Sequence, residues 1–225
     1  MRVLREPAAG DADRDRTGAM LALTAETGEP AVRVWTPGRQ VAFGRRDAAE
    51  PGYDRAVAAA RDRGFETVER RVGGRAVAYT ETTVAFAHTV PVGDVRSGLD
   101  DRYRATAARV RRALARLGVG TTPGEPPGSF CPGRHSLRAG GKVVGIAQRV
   151  RSDAALVAGC VVVADRAELV AVLDAVYDAL DQPFDPGSVG SVAAAGGPSN
   201  PDRVARAVER ALVGDAERTV CRTGI

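Results

Sequence analysis

The sequence predicts an α+β fold: a mainly antiparallel mixed sheet flanked by helices, in one domain. Three features point there. Short β-branched or alternating runs come in neighbouring pairs joined by Gly- or Pro-bearing turns. Single amphipathic helices separate those pairs. No internal repeat and no break in composition divides the 225 residues.

The elements follow in order. Residues 1–16 are charged and poor in large apolar groups, which suits a lead-in or a short edge strand. Thr17–Thr27 carries Met20, Leu21 and Leu23 and reads as a helix ending at Gly28. Ala31–Trp35 alternates with the period of a half-buried strand. After the Pro37-Gly38 turn, Gln40–Gly44 reads as its hairpin partner. A helix over Asp54–Arg63 sets Tyr53, Val57 and Ala60 on one face and stops at Gly64. Phe65–Glu69 begins a strand that runs into the glycines at 73 and 74, and Val77, Tyr79, Thr83, Val84 and Phe86 continue in β-favouring residues. Leu99–Leu117 is the longest helical pattern, with Tyr103, Ala107, Val110, Leu114 and Leu117 on its stripe and six arginines on its polar face. Thr121–Gly133, rich in Pro and Gly, reads as a loop. Val143–Arg151 and Ala155–Val163 form a hairpin about Ser152-Asp153. Glu168–Leu180 is amphipathic, Ser188–Asn200 is a low-complexity loop, and Pro201 opens a helix over Asp202–Leu212. From Gly214 no period is visible. The core of this arrangement is expected over about residues 30–180, with both flanks loosely held.

Composition excludes several functions. The net charge of +4 comes from arginines scattered among acids, without interleaved aromatics, so no nucleic acid is expected as a partner. Three cysteines and two histidines make neither a disulfide framework nor a metal cluster. No apolar run could span a bilayer, and the start of the chain lacks the apolar stretch of a signal peptide. No membrane partner is therefore expected, and a cytoplasmic location is.

Three segments could carry chemistry. In Arg70-Arg71-Val72-Gly73-Gly74-Arg75, glycines allow close backbone approach between cations, a sensible cradle for an anion. Lys142 follows Gly140-Gly141 at the mouth of an apolar strand, where its ammonium can meet a carbonyl or phosphate oxygen, and Gly145 leaves room beside it. Cys131 lies in the Pro/Gly loop rather than in an apolar strand. It is a candidate nucleophile if Arg134, His135 or Lys142 comes close. Cys160, inside LVAGCVVV, suits an inert core thiol.

In chain order, PAVRVWTPGRQVAFGRRD, RRVGGRAVAYT, GGKVVGIAQRV and ALVAGCVVV together resemble the biotin/lipoate protein ligase superfamily, in the branch of lipoate–protein ligase A and the octanoyltransferases. The resemblance runs from about Pro30 to Asp165 and implies the catalytic-domain fold of that superfamily. It implies Lys142 as the lysine at the acyl carbonyl. Arg70, Arg71, Gly73, Gly74, Arg75 and Ala76 would line the acyl and nucleotide pocket, with Gly145 and Ala147 of the Gly-x-Ala-Gln run and Gly159 of the next strand. Arg75 replaces the family's usual third glycine, and Tyr79-Thr80 replaces its histidine-aspartate pair.

The activity implied is attachment of a lipoyl or octanoyl group to the acceptor lysine of lipoyl domains, as in the E2 subunits of 2-oxoacid dehydrogenases and the glycine cleavage H protein. The resemblance leans to a ligase using ATP and Mg²⁺ through an acyl-adenylate, with a separate accessory subunit as a further partner in some such systems. The alternative transferase needs neither ATP nor metal. It would load octanoyl from acyl-carrier protein onto Cys131 as a thioester. A non-catalytic acyl-binding protein is a third reading.

Overall fold

The computed structural model describes residues 1–5, 11–70, 74–94, 97–151 and 153–221. Its strands are β1 (Arg2–Leu4), β2 (Ala31–Trp35), β3 (Gln40–Phe43), β4 (Glu66–Glu69), β5 (Val77–Tyr79), β6 (Val84–Pro91), β7 (Thr122–Pro123), β8 (Leu137–Arg138), β9 (Lys142–Val150), β10 (Ala154–Val161) and β11 (Thr219–Cys221). The helices are α1 (Asp11–Thr27), α2 (Tyr53–Arg61), α3 (Leu99–Ala115), α4 (Arg166–Ala179) and α5 (Pro201–Val213). A main sheet runs β11-β1-β2-β6-β10-β9-β8-β7, and a small sheet runs β4-β3-β5. The main sheet is mixed and mainly antiparallel, the small one has one parallel pairing (β3 with β4) and one antiparallel (β3 with β5), and helices lie on their faces.

Strand alternation divides the layers. Val84 and Phe86 face the core beneath α3 and α5, with Val144, Val161, Val204, Val208 and Leu212. Ala87 points to the opposite face, where α1 covers it with Met20 and Leu21. The small sheet buries Val41, Phe43 and Val77 against Ala56 and Ala60 of α2 and Leu169, Val172 and Val176 of α4. Asn200 Oδ1 accepts the Arg203 N–H at 3.0 Å and, with Pro201 in the first turn, starts α5 where the sequence predicts it.

Several expectations are corrected. β2 and β3 are not a hairpin: β2 lies between β1 and β6, whereas β3 is the centre of the small sheet. All four residues of β3 are buried, so it needs cover on both faces, and the Pro37-Gly38 bend carries the chain from one sheet to the other. The β-rich run after the glycines is two strands, split where Thr80 N–H donates to Thr83 Oγ1 and Thr83 N–H to Thr80 O. The first strand is no edge. β1 pairs in parallel with β2 on one side and with β11, from the unpatterned tail, on the other. α1 covers Asp11–Thr27, beyond the expected Thr17–Thr27, and the carboxylate of Asp13 anchors its first turns, taking the Trp35 indole N–H at 2.8 Å and the buried Arg33 guanidinium. The Gly/Ala/Ser loop after the Pro186–Ser188 turn buries Val189 and Val192. The helical arginines of α3 are only partly solvated: Arg102 Nε donates to Gln148 and Arg109 to the Leu212 carbonyl.

No helix among the described residues is long and apolar enough to cross a membrane. On β6, His88 is 5% exposed and, among the described residues, its Nε2 has no hydrogen-bond partner. Burial, with a smaller push from Arg109, drives its pKa down to about 4. The folded value lies below the ordinary 6.5, so the stability this group contributes is present above that pH and is lost as pH falls toward 4. The loss amounts to roughly 3 kcal/mol. Urea midpoints measured between pH 7 and pH 4.5 should fall steeply for the parent chain and distinctly less for His88→Leu.

Candidate functional site

Lys142 opens β9 at the bend made by Gly140 and Gly141, and its side chain is 2% exposed. A buried ammonium needs partners for its three protons, and it has them. Nζ donates to Glu125 Oε1 at 2.9 Å, to Phe130 O at 2.9 Å and to Cys131 O at 2.8 Å. The Phe130 ring lies 4.8 Å from Nζ. Lys142 thus grips the backbone of the Cys131 loop.

Cys131 is half-buried, and its backbone is left-handed, with φ 40°. A residue with a Cβ is disfavoured there by roughly 1 kcal/mol, so the neighbours must hold it. They do so from both sides: Lys142 takes the carbonyl, and the Tyr177 hydroxyl of α4 accepts the Cys131 N–H at 2.6 Å. The same hydroxyl donates to Ala76 O at 3.0 Å. One phenol therefore ties the cysteine loop to the start of β5.

The segment after β4 completes the cluster. Arg70 Nη2 donates to Arg75 O and lies 3.7 Å from Cys131 Sγ, while Nε is buried with no hydrogen-bond partner among the described residues. Gly74 has φ 108°, and a Cβ there would stand 2.9 Å from the Cys131 sulfur, so only glycine lets the thiol sit against this bend. The guanidinium of Arg75 turns away to Glu50 at 2.7 Å and Asp47 at 3.5 Å. Asp47 is fully buried; burial pushes its carboxyl up, against the opposing pull of the Gly44 N–H and Arg75. Arg71 and Gly73 lie outside the described residues.

Among the described residues, the cation at the thiol is therefore Arg70, not the neighbours that the sequence offered. Lys142 meets the carbonyl of Cys131 rather than its sulfur, Arg134 is exposed, and His135 stacks on Tyr103 at 4.1 Å with Asp100 3.8 Å from Nε2. Burial pushes the Cys160 thiol up, in keeping with an inert core cysteine.

Beside the cluster, the sheet face opposite α3 and α5 is floored with small residues. Register sets Ala85 beside Cys160 beside Gly145, and Ala87 beside Ala158 beside Ala147. A Cβ at Gly145 would touch Lys142 Cε at 3.4 Å. Ala147 is exposed on this floor. Gly159 belongs to the other face: a Cβ there would meet the Phe86 ring at 2.5 Å and Gly145 O at 2.3 Å, so its bareness serves strand packing. A hollow of about 480 Å³ at the far sheet edge, among Thr122, Arg138, Gly140 and Asp185, includes none of the clustered side chains. Among the described residues, no three His, Cys, Asp or Glu side chains are grouped to hold a metal ion.

Sequence reasoning misses Glu125 and Tyr177. Glu125 has a faint signal, being the one charge in TTPGEPPGSF. Tyr177 has none, because it falls on the apolar stripe of α4 and its hydroxyl matters only once the loop is in place.

Comparison with known proteins bears on the family and the fold. The family model described as lipoyl protein ligase A/B catalytic domain matches residues 18–212. An octanoyl-[GcvH]:protein N-octanoyltransferase of Geobacillus kaustophilus is 33% identical over 129 residues, 57% of this chain and 46% of that protein. One from Anoxybacillus flavithermus is 35% identical over 124 residues, 54% of this chain and 44% of that protein. The match thus spans a little under half the length of these curated relatives. Lipoate-protein ligase A, crystallised with ATP, superposes with a TM-score of 0.76 at 19% identity, over 100% of this chain and 88% of that one. The bipartite lipoate protein ligase of Thermoplasma acidophilum, studied with its E2 lipoyl domain, gives 0.69 at 20% identity, over 100% and 86%. At such identities these two structures share the fold. With the family model covering most of its length, the chain belongs to the lipoyl protein ligase A/B catalytic domain family.

Proposed function

We propose that the protein is an acyltransferase that carries an octanoyl or lipoyl group on Cys131 and delivers it to the lysine amine of a lipoyl-domain protein. The observation that carries this reading is the seat of the thiol, held on left-handed backbone against Gly74 with the Arg70 guanidinium 3.7 Å away. The guanidinium sets a positive charge beside the sulfur that attacks. Nucleophilic attack forms the C–S bond and expels the donor's amine or thiol, which leaves with a proton. The acceptor amine then attacks the thioester carbon. The C–N bond forms, the C–S bond breaks, and the amine's surplus proton leaves as the thiol is restored. Each tetrahedral oxygen needs a donor that is not already engaged. Arg70 Nε is such a donor, whereas all three protons of Lys142 are engaged at rest. The small-residue floor at Ala85, Gly145, Ala147 and Ala158 offers an aliphatic chain a bed without bulky side chains.

The curated relatives are named for octanoyl-GcvH as donor and a protein as acceptor, which supports octanoylated GcvH as the source here. Where the sequence resemblance leans to an ATP-dependent ligase, two features favour transfer. The thiol fills the space over Gly74, and Arg75 is committed to Glu50 and Asp47 instead of being free for a phosphate.

Intact-mass measurement after incubation with octanoylated GcvH or acyl-carrier protein, without ATP, tests the reading. The expected product is a hydroxylamine-labile octanoyl adduct on Cys131 that disappears when a lipoyl domain is added. Acylation of the acceptor that needs ATP and bypasses Cys131 would instead establish ligation. Acyl binding with no turnover under either condition would establish a binder.

A further inference from the structure

Glu125 bridges the two halves of the cysteine loop's support. Oε1 accepts from Lys142 Nζ at 2.9 Å, and Oε2 accepts the Gly133 N–H at 3.1 Å, two residues beyond Cys131. Lys142 in turn takes the carbonyls of Phe130 and Cys131. Residues 130–133 are therefore held at both ends by one ion pair. The carboxylate is itself fixed: β7 pairs with β8, and the Gly124 N–H donates to Ser136 O at 2.9 Å. Proline on either side of Gly124-Glu125 narrows the backbone choices further. A half-buried carboxylate on a Pro/Gly loop ordinarily faces water, and here both oxygens are spent on the backbone and cation that shape the reactive turn.

We propose that Glu125 is the positioning residue of this centre: with Lys142 it forms a carboxylate–ammonium strut that holds Cys131 in its left-handed turn and balances the charge beside the thiol. The inference rests on the transfer reading for its consequence but not for its geometry. Among the described residues, the charged and titratable groups about Cys131 are Arg70, Lys142, Glu125, Tyr79, Tyr177 and Cys160, with Asp47 behind Arg70. Within this set Glu125 is the carboxylate that offsets Lys142.

The test is the pH profile of Cys131 alkylation by iodoacetamide, followed by peptide mass mapping, in Glu125→Gln, Lys142→Met and the double variant. Glutamine keeps the volume and an acceptor for Gly133 but leaves the ammonium unbalanced. The alkylation midpoint should move several tenths of a pH unit down. Lys142→Met leaves the carboxylate unbalanced and should move it up, and the double variant should return close to the parent. Octanoyl transfer should fall at least tenfold in Glu125→Gln and at least a hundredfold in Lys142→Met, and the double variant should fall no further than Lys142→Met. An unmoved midpoint in Glu125→Gln, or losses that multiply in the double variant, would overturn the strut. A parent protein that forms no thioester, while the midpoints shift as stated, would remove the transfer reading and leave the strut standing.

Discussion

Replacing Cys131 by serine should abolish acyl transfer, with thioester formation falling by about three orders of magnitude or more, because an alcohol at neutral pH is a far weaker nucleophile than a thiolate. The change is nearly isosteric at a half-buried position, so the fold and acyl binding should persist. Cys131→Gly sharpens the result. It removes the Cβ from a residue at φ 40° and should raise stability by about 1 kcal/mol while leaving no activity. Urea unfolding and intact-mass assays on the same samples check both halves. A serine variant with parental transfer would place the nucleophile elsewhere.

Lys142→Met carries the second large effect, on stability as well as rate. The substitution leaves the carbonyls of residues 130 and 131 without their donor and strands Glu125, whose side chain is 19% exposed. Removing one member of such a pair should cost about 3 kcal/mol, read as a fall in the urea midpoint with an unchanged slope. Transfer should drop at least a hundredfold, since Phe130–Gly133 would no longer hold the thiol against Gly74. A variant that keeps parental stability would show that the ammonium is dispensable to the loop.

Much of this was legible from residue order alone. The stripes of α3 and α5, the β9–β10 hairpin and the double-glycine bend follow from local pattern, and Lys142 and Cys131 stand out because a cation entering an apolar strand and a thiol on a Pro/Gly loop are chemically unusual. What escaped depends on contacts across long separations. β3 reads as the partner of β2 because nothing in AVRVW or QVAF says that one is bordered by β6 and the other by β4 and β5. β1 and β11 are three residues each, too short to show a period. Arg70 reads as a possible anion ligand, but its place at the sulfur depends on the Cys131 loop folding back over 61 residues of chain.

The parallel pairing of Arg2–Leu4 with Thr219–Cys221 bears on how the molecule is made. As the chain leaves the ribosome, the first strand can join Ala31–Arg33 early, but its other rim stays bare until Thr219–Cys221, more than two hundred residues on, has emerged. Closing a loop of that span is slow and comes late. Meanwhile an unpaired rim of this kind invites pairing with other nascent chains. Emergence of Thr219–Cys221 is thus the step that covers the open side of the first strand.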